Sequence, residues 1–134
     1  KKIDQQVNTV SLFWETIGEN MDQWRGVRVG NLSASEVRRD FIHTHVIILQ
    51  ALGHMGKDLL KQFPTNWKSK LKNLNKINWL KNNSIWQQRV IINGRVVKNN
   101  NSIILASNVI KKALGIKLDA KEKALESQVK KSGK

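Results

Sequence analysis

Three histidines fall within one short stretch, His43, His45 and His54, and they are the first residues to ask about, because imidazole binds metals and moves protons near neutral pH. All three stand in an apolar run read as one helix. At that geometry His43 and His45 point to different faces, and His43 and His54 share a face roughly 16 Å apart. Neither spacing chelates one ion, and no HExxH occurs. They read as packing or surface residues. The carboxylates Glu15, Glu19 and Asp22 lie on one amphipathic helix and read as a solvated face, not as a hydrolytic pair. The phosphate-cradling GxxxxGK[ST], the dinucleotide GxGxxG and the nucleophile elbow GxSxG are absent. The GVRVG loop at 26–30 is not followed by the lysine-bearing helix that a phosphate cradle needs. With no cysteine there is no thiol nucleophile, thiolate metal site or disulfide, which fits a reducing cytoplasm. The expectation is a non-catalytic chain that needs no metal and no cofactor.

What remains is charge. The stretch Asn66 to Arg89, NWKSKLKNLNKINWLKNNSIWQQR, holds three tryptophans, five lysines and an arginine but no acid. The formal net charge is +14, and it is unevenly placed. Residues 1–64 are close to neutral, whereas residues 65–134 are strongly basic. Between Thr65 and Leu118 there are eleven bases and no acid. One-signed charge over half a domain repels itself and is best tolerated against a polyanion or an acidic surface. Abundant Lys, Asn and Ile would also follow from an AT-rich coding bias, but such a bias favours glutamate as well and does not account for the missing carboxylates.

Duplex DNA is therefore the expected partner, met through its phosphates, with affinity that falls steeply with salt. The candidate contacts are Lys68, Lys72, Lys76, Lys81, Arg89, Arg95, Lys98, Lys111 and Lys112. Lys68, Lys72 and Lys76 recur at i, i+4 and i+8 on the outer side of a helix. Arg89 and Arg95, as bidentate donors, suit base edges or one particular phosphate. Lys111 and Lys112 sit near the end of a short helix whose start, at Ser107, could itself offer amides to a phosphate. Trp14 and Trp67 fit apolar seams. Trp24, Trp79 and Trp86 fall in loops or at element ends, where lids over the core are favoured over stacking on unpaired bases.

The elements that hold these residues are mostly helical. Val10, Phe13, Trp14, Ile17 and Met21 predict a first helix at about 9–23. NLSASEV predicts a helix start, with Ser33 and Glu36 as a capping box and Leu32 and Val37 as a hydrophobic staple. Apolar residues then continue to Pro64, so one long central helix is expected at about 34–62. One stripe on it comprises Val37, Phe41, Ile48, Leu52, Met55 and Leu59, and another Ile42, Val46, Leu49 and Leu60. Gly53 and Gly56 suggest close approach by another helix, or a kink. Thr65 is a candidate cap for a helix burying Trp67, Leu71 and Leu74, and 77–84 reads as a loop.

RVIINGRVV predicts a small β-hairpin near 89–98 turning at Asn93-Gly94, with Ile92 opposite Arg95, Ile91 opposite Val96, Val90 opposite Val97 and Arg89 meeting Lys98. A helix from Ser84 to Ile92, ended by Asn93-Gly94, competes with it. Ser107 is the expected cap of SNVIKKALG, stopped by Gly115. Asp119 and Glu122 form a second capping box, opening a last helix at 120–130 with a frayed tail from Lys130. Residues 1–134 are expected to form a single, mainly α domain. No apolar run is long enough to span a membrane. A start at lysine and an end at KKSGK suggest a fragment of a longer protein.

Several blocks, in order, resemble a known family: EVRRDFIHTHVIILQALGHMGKDLL, PTNWKSKL, INW, WQQR, NGRVVK and NVIKKALGI. From about Trp14 to Ile116 the chain is similar to the C-terminal part of the DndB proteins of bacterial DNA phosphorothioation systems. The resemblance implies a bacterial cytoplasmic DNA-binding regulator of the genes that place sulfur in the DNA backbone. That family carries an N-terminal DGQHR signature, which does not occur here, so no nucleotide or catalytic role comes with the resemblance, and no site residue transfers. The alternative function is a protein-interaction module that docks an acidic partner of the modification machinery or self-associates through the Gly53/Gly56 face. A weaker third is an accessory domain of an enzyme whose active site lies elsewhere.

Overall fold

The computed structural model describes residues 2–132, and the side-chain surroundings of residues 8–129. The tail expected to fray from Lys130 thus lies largely outside the described side chains. The chain is mainly α. Helices α1 (Lys2–Glu19), α2 (Asp22–Arg28), α3 (Ala34–Asp40) and α4 (Val46–Gln62) come first. Then follow α5 (Trp67–Leu71), 3-10 turns at Lys72–Lys76 and Ser84–Trp86, strands β1 (Ile91–Ile92) and β2 (Arg95–Val96), α6 (Asn100–Leu114) and α7 (Ala120–Ser132). Among the described residues no helix is long and apolar enough to cross a membrane.

The broadest helix contact is α4 against α6. From α4, Ile47, Ile48, Ala51, Leu52, Met55 and Leu59 enter one core. Val46 and Leu49, expected as part of a second buried stripe, are instead exposed, so α4 buries a single face. Gly56 lies under Phe13 of α1, whose ring would stand 2.5 Å from an added Cβ. Close approach is therefore the reason for that glycine, and the Gly56 side of the expected self-association face is covered from within the chain. Gly53 has nothing within 4 Å of such an atom.

The long helix expected at 34–62 is two helices. Ser33 caps α3 by accepting from the Glu36 amide at 3.2 Å, but α3 stops at Asp40 and the chain turns extended at Phe41, with φ −118° and ψ 150°. The break exists because a better set of backbone partners is at hand. Ile42 N donates to Trp79 O (2.8 Å), Lys81 N donates to Asp40 O (3.0 Å), and Phe41 bridges Leu80 in antiparallel fashion. The break also seats His43 at zero exposure, stacked on Trp79 at 5.1 Å between centroids. His43 and His45 consequently belong to this connection, and only His54 is on α4.

Other boundaries differ for local reasons. The first helix ends at Glu19, and α2 takes in most of the segment expected as a loop. Val10, expected inward, is exposed. Ser107 does not cap α6: Asn99 does so eight residues earlier, accepting from Ser102 N at 2.8 Å, and Ser107 is buried within the helix. The C-terminal stop is where Gly115 predicts it. Gly115 adopts φ +78°, with Ile116 N donating to Lys111 O (2.9 Å) and Gly115 N to Lys112 O (3.3 Å), the paired bonds of a Schellman motif. The hairpin forms in the expected register, Ile91 with Val96 and Ile92 with Arg95, and Asn93 and Gly94 at φ 54° and 77° supply the left-handed pair that a two-residue turn needs.

Candidate nucleic-acid interface

Trp67, Leu71 and Leu74 are buried, so the lysines between them are driven outward, and Lys68 and Lys72 are exposed one α-turn apart. The expected ladder to Lys76 does not continue. From Lys72 to Lys76 the backbone winds as a 3-10 turn, and four residues at 3.0 per turn rotate Lys76 about a third of a turn away from Lys72. Lys76 instead stands on the rim of a cleft of about 350 Å³ that it shares with Lys112 of α6, Asn78, Asn83 and the exposed Ile85. Asn83 Oδ1 accepts from Ile85 N (3.0 Å) and Asn78 Oδ1 accepts from Leu80 N (3.0 Å). These bonds engage only the carbonyl oxygens, leaving both amide NH2 groups as donors to a ligand. Two lysines and two carboxamides line this cleft beside Ile77, Ile85, Val109 and Ala113, and it is the donors at those four polar positions that suit phosphate oxygens.

Three of the nine candidate cations face carboxylates of their own chain. Lys111 has no exposed side chain, and its Nζ is 2.5 Å from both Asp58 of α4 and Glu122 of α7. Burial opposes its charge, but the hydrogen bonds it donates to those two carboxylates outweigh this and hold its pKa above the ordinary lysine value. Arg89 forms a two-pronged pair with Glu126, Nη2 donating to Oε2 at 2.9 Å. The paired strands reach only Ile91 and Val96, so Arg89 lies outside the ladder. Lys112 Nζ donates to the other side of Glu126 at 3.0 Å, though half of its side chain stays exposed. Burial pushes the Glu126 carboxyl up, but hydrogen bonds from Arg89, Lys112 and Asn108 overcome this and bring it down to about 2. Lys111 therefore presents nothing to an external phosphate, and Arg89 almost nothing, because buried helix and loop positions make them partners of α7.

Lys81, Arg95 and Lys98 are not among the residues that line this cleft. Arg95 and Lys98 are exposed on and just after β2. Lys81 sits near Arg38 and Asp40; partial burial, then repulsion from Arg38, lowers its pKa. Among the described residues Lys68, Lys72, Lys76, Lys81, Arg95 and Lys98 form no ion pair, although Lys68 lies over the Trp67 ring at 5.8 Å. The cations without a carboxylate partner thus stand on α5 and its 3-10 turn, on the hairpin, and at Lys81 beside Arg38.

The indoles mostly face inward. Trp86 is fully buried and Trp79 nearly so. They stack at 5.5 Å, and Trp86 Nε1 donates to Asn78 O at 2.8 Å, so neither offers a face to an unpaired base. Trp24 borders another pocket, of about 400 Å³, with Val27, Arg38, Thr44 and Leu49; its Nε1 and the Thr44 hydroxyl are buried without a hydrogen-bond partner.

A family model described as DndB, DNA-sulfur modification-associated, matches residues 1–117. The chain belongs to the DndB family. Comparison with curated proteins and with solved structures gives no match. The family match takes in Lys68 through Lys112 and hence every candidate cation, and it stops before α7 begins at Ala120. In this DndB family member the sequence reading missed Asn78 and Asn83, which fall in a patternless loop, and the inward turn of Lys111. That turn was readable: Lys111 stands four residues after Ser107 and three before Leu114, on the buried face of α6. Glu126, four residues after Glu122, lies on the same side of α7 by the same rule.

Proposed function

We propose that this DndB family member binds duplex DNA without catalysis, through phosphate contacts made by Lys68, Lys72 and Lys76 and by the cleft where Lys76 meets Lys112. Arg95 and Lys98 on the hairpin are the second point of contact, and Lys81 a third. The reading is of a regulator acting in the bacterial cytoplasm on genes of DNA sulfur modification. The observation that carries it is the set of exposed cations in an acid-free segment, Lys68, Lys72 and Lys76 above all, with no carboxylate partner among the described residues. A lysine free in solution and set against a duplex gains by releasing counterions.

Fluorescence anisotropy of a labelled duplex, titrated at several salt concentrations, tests this. The expected result is a steep fall of affinity with salt, and for Lys72→Ala with Lys76→Ala a weaker complex whose salt slope is reduced by about one for each lysine removed. Affinity that is weak and insensitive to salt and to both substitutions would reject it.

A second reading rests on a different face. The Trp24 pocket is lined by Val27, Ala34 and the exposed Leu49, beside Arg38. A short acidic and apolar segment of a partner from the modification machinery would suit that surface. Light scattering with candidate partners, using Leu49→Lys as the disabled variant, separates it from the first.

A further inference from the structure

Helix α7 is attached in an unusual way. The apolar core of the described residues runs from Phe13 to Ile116, and no described side chain of α7 belongs to it. Among its described side chains only Glu122 and Glu126 are buried, at 2% and 5% exposure. Both are anions placed on cations that the preceding fold provides. Glu122 meets Lys111, and Glu126 meets Arg89, Lys112 and the Asn108 amide, the last at 3.1 Å. A helix held by apolar surface leaves at the full cost of exposing that surface. One held by ion pairs regains hydration of its carboxylates on leaving, so another anion can replace it.

The vacated groups would suit a phosphodiester. Arg89 presents a two-pronged fork, which matches two oxygens of a phosphate as it matches two of a carboxylate. Lys112 flanks the fork and Asn108 adds an amide donor. Lys111 keeps Asp58 as a partner when Glu122 departs, so opening does not strand a buried ammonium. Lys112 also lines the outer cleft with Lys76, which makes the covered cations continuous with the exposed ones. The family match ends at residue 117, so these cations fall inside it and the two carboxylates beyond it. The short tether through Leu118 keeps α7 at high effective concentration, which favours rebinding once a competitor leaves.

We propose that Arg89, Lys111, Lys112 and Asn108 form a second phosphate-binding site, covered by α7, and that a DNA backbone enters it by displacing Glu122 and Glu126. This rests on the nucleic-acid reading above for its ligand, but not for the detachability of α7.

The test uses the full chain, with duplex binding by anisotropy and exchange of α7 amides by hydrogen–deuterium mass spectrometry. Glu126→Gln should tighten duplex binding on the order of tenfold. Asp119→Ala, which loosens the start of α7 without touching a cation, should act in the same direction. Added duplex should speed exchange in α7 of the unaltered protein. Unchanged or weaker binding by both variants, or α7 amides equally or more protected on the duplex, overturns the proposal while leaving DNA binding intact. If the unaltered protein binds no duplex at all, the nucleic-acid reading fails by itself. The cap is then decided by salt alone: faster α7 exchange between low and high salt supports it, and exchange indifferent to salt overturns it.

Discussion

Arg89 and Glu126, 37 residues apart in the chain, close on each other as a bidentate pair in which both side chains are nearly excluded from water. The consequence reaches beyond the pair. An arginine at the base of the hairpin, where its spacing suggests a nucleic-acid contact, is committed to a carboxylate of the last helix, and Lys111 is committed the same way. Acid-free sequence is therefore not the same as uncompensated surface, because the acids that neutralise residues 65–118 come from α4 and α7, on either side of that segment.

Removing one partner of a buried pair leaves the other charged and unsolvated. Lys111→Met should destabilise the fold by up to about 3 kcal/mol, since Glu122 would stay buried with only the His54 ring, 3.2 Å away, to answer its charge. Asp58, more than a third exposed, can be rehydrated, which keeps the loss from being larger. Lys112→Met, at a half-exposed site, should cost under about 1 kcal/mol. Urea unfolding followed by circular dichroism measures both, and equal losses would mean that Lys111 is not held as described.

Where a signal is local the sequence carries it. Asn93-Gly94 determined the hairpin and its register, Ser33 with Glu36 a helix start, Gly115 a helix end, and Asp119 with Glu122 the reciprocal cap seen at 2.8 and 2.9 Å. The break at Phe41 to His45 was illegible because its cause is remote: backbone groups of Trp79 and Lys81 satisfy the strand-like turn, and an indole covers His43. Periodicity alone reads that segment as helix. The candidate site divides the same way. The outward direction of Lys68 and Lys72 follows from Trp67 and Leu71, whereas the meeting of Lys76 with Lys112 depends on the packing of α6 against the 3-10 turn.

His43 gives the fold a pH dependence. Burial lowers its pKa from 6.5 to about 4, so between those values the unfolded chain binds a proton that the folded chain does not. Stability is then complete above pH 6.5 and falls as the pH drops toward 4, by up to about 1.4 kcal/mol per pH unit and on the order of 3 kcal/mol in all. Urea midpoints taken at pH 7, 5.5 and 4 should fall more steeply for the unaltered protein than for His43→Gln. Parallel lines would show that His43 does not remain neutral in the fold.

Gly53 and Gly56, one turn apart on α4, should respond in opposite directions to alanine. Gly53→Ala places a methyl in open space and should raise stability by about 0.5–1 kcal/mol through helix propensity. Gly56→Ala drives a methyl into the buried Phe13 ring and should lower it by about 1–3 kcal/mol. Thermal melts of the two variants check the pair. Stabilisation by both would mean that α1 does not rest on α4 at this point.

The lower part of the acid range belongs to Glu126. Its carboxyl is held down to about 2 by Arg89, Lys112 and Asn108 against the opposing effect of burial, while in the unfolded chain it titrates near its ordinary value of 4.5. A group with a depressed folded pKa adds stability above its unfolded pKa, and that stability is lost as the pH falls through the window down to the folded one. Between about pH 4.5 and 2, then, the docking of α7 should weaken after His43 has already taken its proton. Glu126→Gln has no proton to take up at that position, so its stability should decline less across this window than that of the unaltered chain. Since no described side chain of α7 joins the apolar core, amide exchange resolved by segment should show α7 opening first and α4 last. Simultaneous loss of both helices would mean that α7 is bound by more than its two carboxylates.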